Sequence, residues 1–445
     1  MYIQPHAINI LNRRRSQPGL MNRIYLFTLV VFLHTSVTAI AQTNVADIET
    51  SKDAATANQV VDERELTAEE DPLAERESDK NQREDTWYKE PNTVRVYGSA
   101  RLRYRDTGSG PVWGDGGSRA GIESHWQVLP KRWLFGGLEV GFNLLDRIDQ
   151  LIDPGSASSE NRSDIFERLA YIGFEGPNMI ATLGKNWSSY YKVASFTDRF
   201  QGAGASAGGA FNANTDGGPT GTGRADKVLQ TRFYIDFFPD ALGIKPFNLN
   251  VQAQHGEPIP GIDNVNYGTT LGASAILNTR NDFTLGIAYN HADIRDISNP
   301  AVVSAGIDGD AQALVIGSRW QAENWYLGAI VSRLINHETT DTLTYFDGTG
   351  SELYAQYQAH GPWWIIGGYN WLQPDDDELQ AGQYKIGYGI VGVRYSVDKF
   401  RKMFFINARI ENSSSSSGDD TSNIYTVGVR WDLEKTFSWA PFRSR

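Results

Sequence analysis

Between Val94 and Asp106 the chain reads VRVYGSARLRYRD, and Arg95, Arg101, Arg103 and Arg105 fall on one residue parity. Side chains of one parity share a face of a strand, so these guanidinium groups oppose an apolar face of Val94, Val96, Ala100, Leu102 and Tyr104. Such a row offers fixed positive charge and little else. The residue types of covalent and acid–base chemistry are sparse beside it. There is no cysteine, which removes a thiolate nucleophile, a thiolate metal site and a disulfide framework. His125, His255, His291, His337 and His360 lie outside any G-x-S-x-G or H-E-x-x-H context, and an enzyme would need a Ser/His/acid or paired-carboxylate constellation around them. The glycine-rich run GAGASAGGAFNANTDGGPTGTG has no Gly-Lys-Ser/Thr opening a helix, so it is no phosphate cradle. The chemistry on offer is electrostatic, with no catalytic residue, metal or cofactor called for.

The elements that hold the arginines follow from period-two alternation, which recurs from Val94 to about Leu433 with no sustained helical period. In SRAGIESHWQV, Ala120, Ile122, Trp126 and Val128 oppose Arg119, Glu123, His125 and Gln127. In IYTVGVRWDL, Tyr425, Val427, Val429, Trp431 and Leu433 oppose Gly428, Arg430 and Asp432. A sandwich and a membrane barrel both give this pattern, and connection lengths separate them. Short turns (LPKR at 129, PN at 177, TRND at 279, AEN at 322, Pro362, KFRK at 399) alternate with long loops such as DTGSGPVWGDGGS and DISNPAVVSAGIDGDA. Membrane barrels have tight periplasmic turns and long external loops; a sandwich has no reason for the asymmetry. Trp126, Trp133, Trp320, Trp325, Trp363 and Trp364 gather beside the short turns, as an interfacial aromatic girdle would. The count predicts an all-β fold: a sixteen-stranded antiparallel transmembrane β-barrel, both termini periplasmic. Lipid takes the apolar face and a water-filled lumen the arginines. Reversing the register would set arginines against acyl chains at roughly 2–4 kcal/mol each near the midplane.

The N-terminal side predicts export. MNRIYLFTLVVFLHTSVTAIAQ starts at Met21 with a basic residue, turns apolar from Ile24 to Leu33 and closes on Ala39-Ile40-Ala41, as a signal peptide does. Residues 1–41 are therefore expected to be cleaved, with Met21 an alternative start. Residues 42–90 hold 15 acidic against six basic residues and read as a solvated periplasmic segment. Residues 91–437 form the barrel and 438–445 a tail. The balance of −12 makes nucleic acid an unsuitable partner.

Several stretches resemble the general porins of Gram-negative outer membranes. VRVYGSARLRY resembles their first strand, SRAGIES the second, ERLAYIGFEG the fourth and ATLGKNWSSYYKVASFTD the fifth leading into the third loop. TVGVRWDL resembles the terminal barrel signal. The resemblance implies an outer-membrane homotrimer passing small hydrophilic solutes and ions, set in lipid and lipopolysaccharide and built by the barrel assembly machinery. A solute-specific porin for oligosaccharides or anions, with Tyr190 and Tyr191 as a sugar track, is the alternative; an outer-membrane barrel enzyme is a more distant one.

The resemblance further implies that the third loop, 196–226, folds into the barrel and narrows it. Arg119, Arg168 and Arg232 fall where the family keeps a basic wall, and the strand-one row Arg95, Arg101, Arg103 and Arg105 adds to it. Where the family loop usually carries a Pro-Glu-Phe-Gly-Gly stretch, this chain has TDRFQGAGA. Asp198, Asp216 and Asp226 are then expected to supply the opposing charge, offset by Arg199 and Arg224. The arginines could alternatively pair with lumen carboxylates such as Glu123, Glu139 or Asp432. A low-dielectric wall focuses fixed charge on a narrow aqueous path, so a few such residues bias ion passage. The expected bias leans toward anions.

Overall fold

The computed structural model describes residues 92–439 apart from 109, 146–164, 237–244, 280 and 398–400. The signal sequence and the acidic segment assigned above lie outside the described residues. Seventeen strand segments follow in order: β1 (Asn92–Asp106), β2 (Pro111–Asp115), β3 (Arg119–Leu129), β4 (Arg132–Phe142), β5 (Ile165–Glu175), β6 (Met179–Trp187), β7 (Arg224–Ile235), β8 (Phe247–His255) and β9 (Thr269–Asn278). The second half comprises β10 (Phe283–Ala292), β11 (Ala311–Gln321), β12 (Trp325–Thr339), β13 (Tyr345–His360), β14 (Trp363–Pro374), β15 (Ile386–Val397), β16 (Lys402–Glu411) and β17 (Ile424–Trp439).

β2 and β3 share one place in the wall. β1 pairs through Leu102–Asp106 with β2 and through Thr93–Ser99 with β3. Between them the strand breaks at 116–118, where Asp115 accepts from the backbone amides of Gly117 and Ser118. The wall is therefore sixteen strands, each antiparallel to its neighbours, and β17 closes on β1 over fifteen residue pairs from Asn92↔Trp439 to Asp106↔Tyr425. Closure leaves no sheet edge, which is what a hydrocarbon solvent demands of strands. Among the described residues no helix is long and apolar enough to cross a membrane.

Alternation sets the two faces. Ile172, Val331, Ile406 and Leu433 point outward and stay exposed, whereas Arg101, Arg119, Glu123 and Arg168 point inward and are buried. Trp126, Trp320, Trp325 and Trp363 are exposed beside the short turns, as a girdle requires, but Trp133 and Trp364 are buried. These two have inward parity: Trp133 stacks on His125 at 5.6 Å, and the Arg394 guanidinium lies 5.3 Å from the Trp364 ring. They belong to the interior rather than the girdle.

The apolar core lies inside the barrel, around the segment that enters the lumen. The segment between β6 and β7 opens with a single turn, α1 (Tyr191–Ala194), and then runs through the lumen, buried along most of its length. Phe196, Phe200, Ala207 and Phe211 of this segment pack with Ile330, Leu334, Tyr354, Ile366 and Tyr388 of β12–β15. A second cluster gathers from the long loops. Ile259, Ile262 and Val265 meet Ile294, Val302 and Ile307 around Tyr345, whose hydroxyl donates to the Pro260 carbonyl at 2.8 Å. Val302 belongs to α2 (Pro300–Ser304), where Asn299 Oδ1 caps the Ala301 amide. The inward faces of β1 and β3 carry the buried polar side chains Arg101, Arg119 and Glu123.

Candidate functional site

Glu139 on β4 organises the polar wall. Its Oε1 accepts from Arg168 Nε at 2.6 Å and lies 4.0 Å from Arg119 Nη1, while its Oε2 accepts from the Tyr97 hydroxyl at 3.0 Å. Both arginines and the carboxylate are almost fully buried, so Glu139 brings the two guanidinium groups together. Charges this sheltered are screened much less than surface pairs. Arg232 on β7 donates from Nε to Asn250 Oδ1 at 2.8 Å, and Asn250 in turn donates to Ser274.

The strand-one row is spread along β1. Arg95 pairs with Glu123 at 3.1 Å and Glu434 at 3.3 Å. Arg101 donates from Nε to Ser99 Oγ at 2.7 Å. Arg101 and Arg103 line a cavity with Arg430 and with Gln201 and Gly202 of the lumenal loop. Arg105 stands above them, opposite Thr426 in the β1–β17 register.

Across the lumen the loop is latched by its backbone. Glu352 of β13 accepts from the amides of Ala207 and Gly208, both at 2.8 Å, and from the Thr197 hydroxyl. Ser332 donates to the Ala207 carbonyl at 2.7 Å, Asn370 accepts from the Ser206 amide at 3.0 Å and Asn407 donates to the Gln201 carbonyl at 2.7 Å. The close approach needs Gly350: a Cβ there would stand 1.9 Å from the Ala207 carbonyl oxygen. A buried carboxylate holding two amides and a hydroxyl satisfies donors that would otherwise be orphaned in the interior.

The expected loop charges serve this anchorage. Asp198 is buried and accepts from the Tyr191 hydroxyl at 2.7 Å, and the Arg199 guanidinium lies over the Tyr326 ring at 4.1 Å. Arg224 and Asp226 belong to β7 rather than the loop, because the ladder to β6 begins at Trp187↔Arg224. Asp216 takes Lys185 at 3.0 Å and Arg224 at 3.1 Å, while Asp226 takes Lys185 at 2.6 Å, so these four clamp the loop where it rejoins the wall. Burial alone would raise the Asp216 carboxyl, but Arg224 and Lys185 outweigh it and hold the group below its ordinary range. Tyr190 and Tyr191 are also fully buried. The first donates to the Gly208 carbonyl and the second stacks on Trp187 at 4.1 Å, so they pack the loop rather than line a track.

The latch residue Glu352 escaped the sequence reading. Its signal is on the inward parity of TGSELYA, where glycines at 348 and 350 precede a lone carboxylate. Small residues beside a charge on a lumen face mark a place where backbone comes close.

A closed sixteen-strand barrel, constricted by an inward loop facing a charged wall, defines an outer-membrane diffusion channel. The model of the Gram-negative porin family matches residues 35–440, and the chain belongs to that family. Its activity is passive diffusion through the outer membrane. Among solved structures it is similar to the Salmonella typhi OmpF complex with daunomycin, at 20% identity and a TM-score of 0.61, covering 77% of this chain and 98% of that one. It is similar to the outer membrane channel DcaP of Acinetobacter baumannii, at 13% identity and a TM-score of 0.56, covering 77% and 98%. It is also similar to the anion-selective porin from Comamonas acidovorans, at 14% identity and a TM-score of 0.53, covering 77% and 100%. These likenesses speak for the fold. No curated protein sequence matches the chain.

Proposed function

We propose that this porin is a general channel for small hydrophilic solutes with a bias toward anions. The observation that carries the reading is the wall cluster in which Arg119 and Arg168 share one carboxylate, Glu139, within the low-dielectric interior. Two guanidinium groups converge on that carboxylate, while carboxylates of the loop and of β13 are engaged in holding the loop: Glu352 with loop amides, Asp216 and Asp226 with Lys185 and Arg224. Fixed charge beside a narrow aqueous path shifts the ratio of ion permeabilities without requiring a tight binding site. The test is the reversal potential of the purified protein in a planar bilayer under a salt gradient. Arg119→Ala, Arg168→Ala and Arg232→Ala together should move it toward cations; a triple variant that matches the parent removes these arginines from the account of selectivity.

The same reading covers assembly and export. The exposed apolar face at Leu134 and Leu138 of β4 supports a homotrimer, and OmpT of Vibrio cholerae, a similar outer membrane protein, has a trimer form. A monomeric mass in mild detergent counts against it. Cleavage of the signal sequence before Gln42 is checked by N-terminal mass mapping, and retention of residues 22–41 refutes it. Lipopolysaccharide and the barrel assembly machinery are the partners that such a location implies. An enzyme reading gains no support from the histidines: His125 pairs with Glu175 at 3.3 Å and His291 with Asp310 at 3.2 Å, while His337 bonds the Gly209 carbonyl at 2.8 Å.

A further inference from the structure

The lumenal segment meets the wall along a row of glycines. Gly286 of β10, Gly317 of β11, Gly328 of β12, Gly350 of β13 and Gly368 of β14 lie one on each of five consecutive strands, all of inward parity. Their neighbours Leu285, Ile316, Leu327 and Tyr369 point outward and are exposed. Gly286 and Gly317 stand directly opposite each other in the ladder, and Gly328 and Gly368 flank Tyr354 from its two sides. At each position the segment occupies the place a side chain would take. A Cβ on Gly286 would stand 2.8 Å from Val193 Cγ2, and one on Gly328 2.2 Å from the Phe196 carbonyl oxygen. On Gly317 it would stand 3.1 Å from the Phe196 ring, with Ile330 nearer still. On Gly350 it would meet the Ala207 carbonyl oxygen at 1.9 Å, and on Gly368 the Phe200 ring and the Leu353 carbonyl oxygen, both at 2.3 Å. Gly367, beside Gly368 but of outward parity, has nothing nearer than the Ile390 carbonyl oxygen at 3.7 Å. A strand glycine weakens its strand and marks a place where other backbone comes close. Five adjacent strands accept that cost beneath one segment.

We propose that these five glycines set the size limit of the channel: they form a recessed seat, and the depth at which the segment lies in it fixes the largest hydrophilic solute that passes. The proposal rests on the general-channel reading and deepens it by naming what decides solute size. Ordinary contact for a Cβ begins at about 3.4 Å, so a methyl group on Gly328 or Gly350 asks a backbone carbonyl to recede by more than an ångström. The wall is held by ladders on both sides of each of these strands, so the segment is the part that yields, and away from the wall means into the aqueous path. None of the five glycines belongs to the Arg119–Arg168–Glu139 cluster. Size and charge selection are therefore set by different residues and can be changed one at a time.

The experiment uses the full-length mature protein in liposomes and planar bilayers, with arabinose, glucose, sucrose and raffinose as size probes. Gly328→Ala should lower the potassium chloride conductance and raise the ratio of arabinose to sucrose entry rates. Gly328→Ala/Gly350→Ala, which lifts the segment at two places, should raise that ratio further and exclude raffinose. The reversal potential in a salt gradient should stay where it is in the parent. Gly367→Ala should match the parent in every readout. A compensating pair covers the case in which Gly328→Ala does not assemble: Gly286→Ala sets a methyl against Val193 Cγ2, and Val193→Ala in the same chain removes that atom. The pair should regain the parent's sugar ratio that Gly286→Ala loses, a coupling between contacting residues that a double-mutant cycle reads. Heat-modified electrophoretic mobility certifies assembly of each variant. Assembled Gly328→Ala and Gly286→Ala channels with the parent's sugar ratio overturn the seat and leave the general channel standing, as does a loss in Gly286→Ala that Val193→Ala fails to relieve. Parent entry rates that follow sugar identity rather than size overturn the general-channel reading instead; conductance that still falls with each added methyl would support the seat.

Discussion

Glu352→Ala tests whether the constriction is held by one buried carboxylate. The side chain is 1% exposed and accepts three hydrogen bonds, two from the Ala207 and Gly208 amides at 2.8 Å and one from the Thr197 hydroxyl. Bonds to a charged acceptor contribute about 1.5–3 kcal/mol each, and a buried donor left without a partner costs about 1–3 kcal/mol. Shared across a network, the net loss for the segment 197–208 should come to about 3–6 kcal/mol, since such contributions are not additive. At 1.4 kcal/mol per tenfold, the detached arrangement gains a factor on the order of a hundred or more in population. The loop will not leave the lumen, because Tyr326 still bonds the Phe196 carbonyl, Tyr388 still bonds Ser206, and the apolar packing of Phe200 and Phe211 persists. The expected phenotype is therefore a noisy pore with new conductance substates and unchanged barrel stability by heat-modified electrophoretic mobility. Glu352→Gln supplies the control. Its amide oxygen can still accept from both backbone N–H groups while its NH2 donates to the Thr197 hydroxyl, so the trace should stay close to that of the parent. A Glu352→Ala channel as quiet as wild type refutes the latch; noise in the Gln variant equal to that in Ala would show that charge, not hydrogen bonding, is what holds the loop.

Gly350→Ala should give a similar noisy pore by a steric route, since its new methyl meets the Ala207 carbonyl oxygen at 1.9 Å and the loop must shift; single-channel recording checks it, and quiet traces would contradict the packing. Glu139→Gln removes the carboxylate that Arg119 and Arg168 share, so the reversal potential should move further toward anions, opposite in sign to the arginine triple variant. The clamp at the loop exit predicts a pH response. Asp216 is held below its ordinary range by Arg224 and Lys185, so its contribution is complete above the unfolded carboxylate value of about 3.9. It is lost only as pH falls through the lower folded-state value. Open-channel noise should match at pH 7 and pH 5 and rise below about pH 4; Asp216→Asn should show the acid-type noise already at pH 7, and a rise between pH 7 and pH 5 in the parent would contradict the assignment.

The barrel was legible in the sequence because its two solvents differ so much. Lipid outside and water inside force period-two alternation on every strand that borders both, and β1, β3 and β17 follow it over most of their length. The same logic failed where the lumen side is not water. In WWIIGGYNWL of β14 both parities carry apolar residues, because Ile366 and Leu372 pack with the lumenal loop and Trp364 sits against Arg394, while Trp363 and Ile365 face lipid. A strand buried on both faces reads as a continuous apolar run, and that run is the sequence trace of the docked loop. It also explains why Trp133 and Trp364 were drawn into the girdle: proximity to a short turn says which end of the barrel a residue occupies, and only parity says which side. Charge roles were harder to read, since arginine parity reports a lumen address but not a partner. Arg119 and Arg168 meet at Glu139 through contacts twenty residues or more apart in sequence, and Arg101 meets Arg430 only because the last strand closes on the first. Closure is the step that turns separate alternating strands into a charged wall, so the residues at the β1–β17 seam are where a strand-by-strand reading has least to say and where the structure adds most.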